Sequence, residues 1–451
     1  MSVLPQDIDT GQQSSLTLLL RHFFVALGFL LVGMLVGLGT LVGIDPGLDR
    51  LAHVHLLLVG WVCLTIMGAM TQFVPVWSGV DLHSRRLASI QLVLVTGGLL
   101  GFAAAFLLGT FAWLAPFGLA LVVGFWVFVY NIARTMADVE TYDVTLRHFL
   151  FALGSFLVLT ALGLWLALVL GWPDHLPAWA TRYDLLGAHV TLAVFGAVLT
   201  TIYGAMYQLG TMFTQTELHG IDHPLQTAGE VAHYAGVVAL AVGRIFEISI
   251  LSGGGGLAIV LGALAFATII GRKLYEMQVD WTPMHSRYTV VVPALVVWAL
   301  ATVPTWLEGP TGRVSLYGAE GTGHLLLLGV VGFVILGTLY HIIPFIIWID
   351  QYSDRLGLED VPMIDDLYDD RLAAVDFWLL VVGTALLVLS DTLVSESLLA
   401  LLGGVLLTLG VVLFTANMVL VVRGHSPYRM DQVLLGRLSP RSVHEDSTVT
   451  K

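Results

Sequence analysis

Twelve apolar runs of about 20 residues, each long enough as a helix to cross roughly 30 Å of hydrocarbon, recur between Leu16 and Leu420 with short polar breaks. Their spans are 16–43, 51–77, 87–108, 110–133, 146–171, 185–210, 226–250, 254–274, 288–307, 322–349, 371–393 and 396–422. With 57% hydrophobic and 11% charged residues, the chain lacks the polar residues needed to cover a soluble globule. The expected fold is therefore an all-α polytopic membrane protein. Residues 1–15 are polar and carry no positive n-region, so the first helix is read as the insertion signal.

Lys and Arg stay preferentially on the cytoplasmic side. With the N-terminus inside, Arg50, Arg182, Arg244 and Arg313 fall outside and the other 15 of the 19 basic residues fall inside. Both termini are thus expected in the cytoplasm, with 1–15 as a leading segment and 423–451 as a polar tail. The net charge of −13 has an acidic focus at 350–370, QYSDRLGLEDVPMIDDLYDD. That balance resembles a halophilic prokaryote's solvated surface and argues against nucleic acid as a partner. The single cysteine, Cys63, lies within a helix, and no CxxCH motif is present for covalent heme.

The chain also repeats itself. Arg21-His22-Phe23 followed by FVALGFLLV returns as Arg147-His148-Phe149 followed by LFALGSFLV, so four helices make one unit, with units near 16–140, 141–280 and 281–422. The second helix of each unit reads AHVHLLLVGWVCLTIMGAMTQFVP from Ala52, AHVTLAVFGAVLTTIYGAMYQLG from Ala188 and GTGHLLLLGVVGFVILGTLYHIIP from Gly321. Aligned on Gly68, Gly204 and Gly337, His53 matches His189 and Thr322, and His55 matches Thr191 and His324. Two residues turn an α-helix by about 200°, so these two columns face opposite sides. If the units close around a pseudo-threefold axis, each of three pores receives one residue from each column.

Twelve helices in three four-helix arcs, with histidines on helices 2 and 10, resemble subunit I of the heme-copper oxidase superfamily, and its nitric-oxide-reductase-like branch is the nearer. In that family helix 10 carries a His-x-His pair, high-spin ligand first and low-spin ligand second, with a proline twenty residues beyond the second. His324 and Pro344 have this spacing, so the resemblance implies that His324 is a low-spin heme ligand and that Thr322 stands in the high-spin ligand's place. GAMTQFVP resembles the stretch that follows the family's low-spin ligand on helix 2, which selects His53; the threefold argument selects it independently. The same rotation pairs His55 with His189 as ligands of a second heme. The third pore is offered only Thr191 and Thr322, which are not iron ligands there.

The family's copper site needs a His on helix 6 facing that pore and a His-His pair near the outer end of helix 7. Helix 7 here ends LAVGRIFEIS, and its one membrane histidine, His233, lies nearer the inner half as an expected hydrogen-bonded partner of Glu230. Copper is not expected, no residue is assigned as catalytic, and a complete oxidase is disfavoured. Arg50, Arg182 and Arg313 precede the ligand helices and are candidates for pairing with heme propionates. Among the remaining histidines, His22 and His148 suggest a shared packing role; His219, His223 and His285 fall on inner loops, where a solvated loop is favoured over a metal site formed by His219 and His223; and His341 occupies an inner position where the family it resembles often has a non-ligand His. Tyr203, Tyr207 and Tyr340 are read as packing residues.

Iron with two histidine ligands favours outer-sphere electron transfer. The leading expectation is a heme b electron-transfer subunit exchanging electrons with another protein or a quinone, possible companions being further respiratory subunits. A nitric-oxide-response or heme- and copper-handling protein, and a reductase with an unorthodox site in the Thr191/Thr322 pore, are the alternatives.

Overall fold

A computed structural model describes residues 13–44, 47–171, 182–392 and 397–435; the side chains of 13–16, 182, 183, 313 and 435 fall outside that description. The rest of the N-terminal segment and most of the C-terminal tail therefore lie outside the described residues.

Among the described residues there are helices and no strands. Eleven helices are long and apolar enough to cross a membrane: α1 (Thr17–Leu41), α2 (Asp49–Ser78), α3 (Arg85–Leu107), α4 (Phe111–Met136), α5 (Val144–Gly171), α6 (Asp184–Thr214), α8 (Ser249–Tyr275), α9 (Pro283–Glu308), α10 (Leu325–Arg355), α11 (Asp370–Thr392) and α12 (Ser397–His425). The chain is an all-α polytopic membrane protein. Such a fold follows because helix satisfies every backbone polar group within its own segment, which hydrocarbon demands.

One further helix, α7 (Asp222–Ile245), has spanning length but carries Asp222, Glu230 and Arg244. It ends earlier than the expected 226–250, because the chain turns at 246–248 with Glu247 at φ +54°. It lies very close to α8, where a Cβ at Gly255 would come within 2.5 Å of the Leu240 amide nitrogen and one at Gly243 within 2.6 Å of the Ser252 nitrogen. Small residues at a helix crossing let backbones approach to this degree.

Each helix packs against the next in chain order, and α12 returns to pack on α1. The second helix of each repeat contacts the first, third and fourth of its own unit. Where α1 crosses α2 a Cβ at Gly68 would meet His22 Cβ at 2.7 Å; where α5 crosses α6 one at Gly204 would meet His148 Cβ at 2.5 Å; at the α9–α10 crossing Gly337 faces Tyr288 at 3.0 Å. The paired histidines His22 and His148 accordingly serve packing, each donating Nδ1–H to the carbonyl four residues earlier.

α2, α6 and α10, with Phe23 and Phe149, line a cavity of about 620 Å³ including its open mouth, to which equivalent repeat positions contribute, among them Thr65, Thr201 and Val334, and Met70, Met206 and Leu339. All three helices also change winding at the same place. Leu56–Cys63, Leu192–Leu199 and Leu325–Gly332 are π-helical, and all begin at the same aligned position. Such wide turns are rare overall and frequent at functional sites.

Candidate cofactor-binding site

The four singled-out histidines sit just ahead of these π segments: His53 and His55 on the turn Asp49–His55, His189 on Arg182–Thr191, and His324 immediately before Leu325. All four rings are half-buried. His53 Nδ1 lies 2.8 Å from the Gly33 carbonyl, and His189 Nδ1 lies 2.9 Å from that of Leu159, the matching residue of α5. Both rings rest on a matching glycine of the same helix. A Cβ at Gly37 would be 2.5 Å from His53 Cε1, and one at Gly163 would be 2.9 Å from His189 Cε1. His55 Nδ1 reaches the Leu51 carbonyl at 2.8 Å, between Phe102 and Phe106. His324 Nδ1 reaches the Asp391 carboxylate.

A carbonyl or carboxylate oxygen accepts, so each Nδ1 carries a proton, and a ring that is neutral then offers its lone pair at Nε2. Among the described residues, each of the four rings bonds through Nδ1 and none has a partner at Nε2. This is the tautomer and support that metal-ligating histidines use. His53 and His324 are near enough to interact electrostatically, as are His55 and His189.

His55 and His189 both line a cavity of about 1440 Å³ including its open mouth, formed by α2 to α6 together with Tyr317. Its walls are almost wholly apolar, with Phe102, Phe106, Phe125 and Phe156 among them, and Cys63 and Thr160 as minor polar points. A flat apolar group carrying one metal that wants two axial nitrogens matches this chemistry. The donor set and the glycine cradles therefore fit heme. Of the candidate propionate partners, Arg50 is exposed beside the buried Asp49. Arg182 opens its helix and Arg313 opens a 3-10 turn, and their side chains lie outside the description.

Thr191 and Thr322, the residues offered to the expected third pore, are both buried. Arg244, which the sequence reading placed among the exterior arginines, is buried and donates to Thr191 Oγ1 at 2.8 Å and to the carbonyls of Pro310 at 3.1 Å, Ser315 at 2.6 Å and Leu316 at 3.3 Å. Phe195, Trp298 and Trp306 pack mutually beside it, with ring centroids 5.6–5.8 Å apart. Thr322 Oγ1 turns back to the Ala319 carbonyl.

Other expected pairings differ. Glu230 is bound at 2.6 Å by Arg147 rather than by His233, whose Nε2 meets Thr200 Oγ1 and the Phe195 carbonyl at 3.0 Å. His285, expected on a loop, is buried and caps the start of α9 with Thr282. His219 faces Glu276, whose carboxyl is held below the usual range by hydrogen bonding from Lys273 and His219. Among the described residues no group of three or more His, Cys, Asp or Glu is arranged to hold a metal ion, so His219 and His223 form no such cluster. His341 lies against Phe213 and Phe345, and Tyr203 stacks on Phe266, both as packing.

No protein-family model matches this chain, and neither does any curated protein.

Proposed function

We propose that the chain is a heme b protein of the heme-copper oxidase subunit I type, with twelve helices in three arcs about a pseudo-threefold axis and both termini cytoplasmic. It holds two irons, one between His53 and His324 and one between His55 and His189, and serves electron transfer without an oxygen-reducing centre. The observation that carries this reading is the matched pair of imidazoles on the large apolar cavity, each with Nδ1 occupied and Nε2 free. When bound, heme supplies a reversible one-electron couple. The protein's part would be to fix ring orientation through the Gly33, Leu51 and Leu159 carbonyls and Asp391, to exclude water with the phenylalanine walls, and to offer the iron the imidazole nitrogens of each pair. Electrons would be exchanged with another protein or a quinone. The Arg244 packing against Thr191 argues against the reductase reading, since that is the pore a substrate would need.

The test is heme stoichiometry in the purified full chain, by pyridine hemochrome, with reduced spectra taken with and without CO. Two low-spin hemes per chain and no CO response are expected. His53→Ala or His324→Ala should remove one, and His55→Ala or His189→Ala the other. A chain without heme after expression with ample heme supply would overturn the proposal.

The glycine cradles give a second, ligand-sparing check. Gly163→Ala drives a methyl into the His189 ring and should at least halve occupancy of the His55/His189 site, while Gly37→Ala should do the same to the other site alone. Heme content at both sites unchanged in both variants would show that the ring positions do not matter.

A further inference from the structure

The two candidate pairs differ in one chemical respect. His53, His55 and His189 give the Nδ1 proton to neutral backbone carbonyls. His324 gives it to the Asp391 carboxylate, with Nδ1 and Oδ2 2.5 Å apart. Asp391 is held in place: it lies one residue from the end of α11, and Gly321, at φ +76°, presses on its backbone so closely that a Cβ there would stand 2.6 Å from the Asp391 carbonyl oxygen. The turn leading into α10 thus packs directly on the end of α11, which brings the carboxylate to the ring. At His55 the neighbouring third helix of the unit offers Phe102 and Phe106 instead.

A carboxylate draws the Nδ1 proton toward itself and makes the imidazole a stronger donor at Nε2. A stronger axial donor stabilises oxidised over reduced iron, which lowers the reduction potential. The partial exposure of the pair, with side chains 41% and 31% accessible, acts in the same sense by leaving the oxidised iron's extra charge better solvated. We propose that Asp391 is a positioning and tuning residue that makes the His53/His324 iron the lower-potential of two. An electron shared between the sites then rests at His55/His189, and the built-in direction of transfer runs from the first site to the second. This inference rests on the two-site reading of the preceding subsection.

The experiment is an optical redox titration of the purified, heme-loaded full chain with mediators. The native protein should titrate in two components, and His55→Ala should retain only the lower one. Asp391→Asn should move the lower component upward and leave the other in place, with Asp391→Glu restoring the native value. The inference is overturned if the component surviving in His55→Ala is the higher one, if both components coincide, or if Asp391→Asn binds two hemes with unmoved potentials. Should Asp391→Asn empty its site, the order of potentials in His55→Ala and His53→Ala, where the carboxylate is intact, decides. Failure to bind any heme would instead sink the two-site reading itself.

Discussion

Asp376→Leu is expected to lower the stability of the folded protein in detergent by about 3–5 kcal/mol, because it leaves a buried guanidinium without its counter-ion. Arg287 and Asp376 are both fully buried and form an ion pair, and Tyr340 donates its hydroxyl proton to the same carboxylate. Asn417 donates to the Tyr340 oxygen at 3.2 Å, and the guanidinium carbon lies 4.2 Å above the Tyr340 ring. Residues from α9, α10, α11 and α12 thus meet at one charged knot inside an apolar bundle. The two remaining Arg287 bonds, to the Pro283 and Ala373 carbonyls, cannot neutralise the charge. Thermal or detergent-driven unfolding of Asp376→Leu should show the loss, whereas Arg287→Met combined with Asp376→Leu should recover most of it, since replacing both partners by apolar groups is often neutral or better. A double variant as unstable as the single would show that the cost comes from packing rather than charge.

The second large effect is expected for Arg244→Met, which keeps an unbranched stem but deletes every donor. It strands the carbonyls of Pro310 and Leu316; Thr191 Oγ1 still donates to the Gly187 carbonyl at 2.7 Å, and the Ser315 carbonyl keeps the Trp306 indole N–H at 3.0 Å. At about 1–3 kcal/mol for each buried group left without a partner, the loss is about 2–5 kcal/mol. It should also be local in a telling way. Arg244 ties α7 to residues 310–316, and that segment leads into His324. Hydrogen exchange across 310–322 should therefore accelerate, and heme should be lost from the His53/His324 site before the other. Uniform acceleration over the whole chain, with equal loss from both sites, would mean that Arg244 supports the bundle at large and not this connection.

The membrane helices were legible because hydrocarbon leaves no alternative to long apolar runs, and the histidine columns were legible because the three second helices can be aligned on Gly68, Gly204 and Gly337. What escaped has a common physical origin. Arg244 looks like a free exterior arginine in sequence, since its partners lie 53 to 72 residues away and most are backbone carbonyls, which have no residue signature. Asp376 and Arg287 are 89 residues apart, and nothing local marks them as a pair. Glu230 is one turn from His233, yet Arg147 outcompetes the neutral imidazole for the carboxylate. The π segments were invisible because LLLVGWVC, LAVFGAVL and LLLLGVVG have the composition of any membrane helix. The supporting carbonyls of Gly33 and Leu159 belong to the same class, although Gly37 and Gly163 fall at matching places in the first-helix repeat and were the available clue.

Those π segments set a rotational phase. A turn closed by i→i+5 bonds holds one residue more than an α turn, so everything beyond it is rotated by about 100° relative to an uninterrupted helix. In α2, α6 and α10 the turn lies between the histidine end and the stretch that lines the cavity they share. The two halves of each helix are therefore aimed independently, one toward the partners of its histidines, the Gly33 and Leu159 carbonyls or Asp391, and the other toward the cavity that the three helices share. Deleting a single residue, such as Val59, would restore regular winding and turn one half by more than a quarter of a revolution against the other. The extra residue works as a fixed gear tooth, and all three helices carry it in the same register.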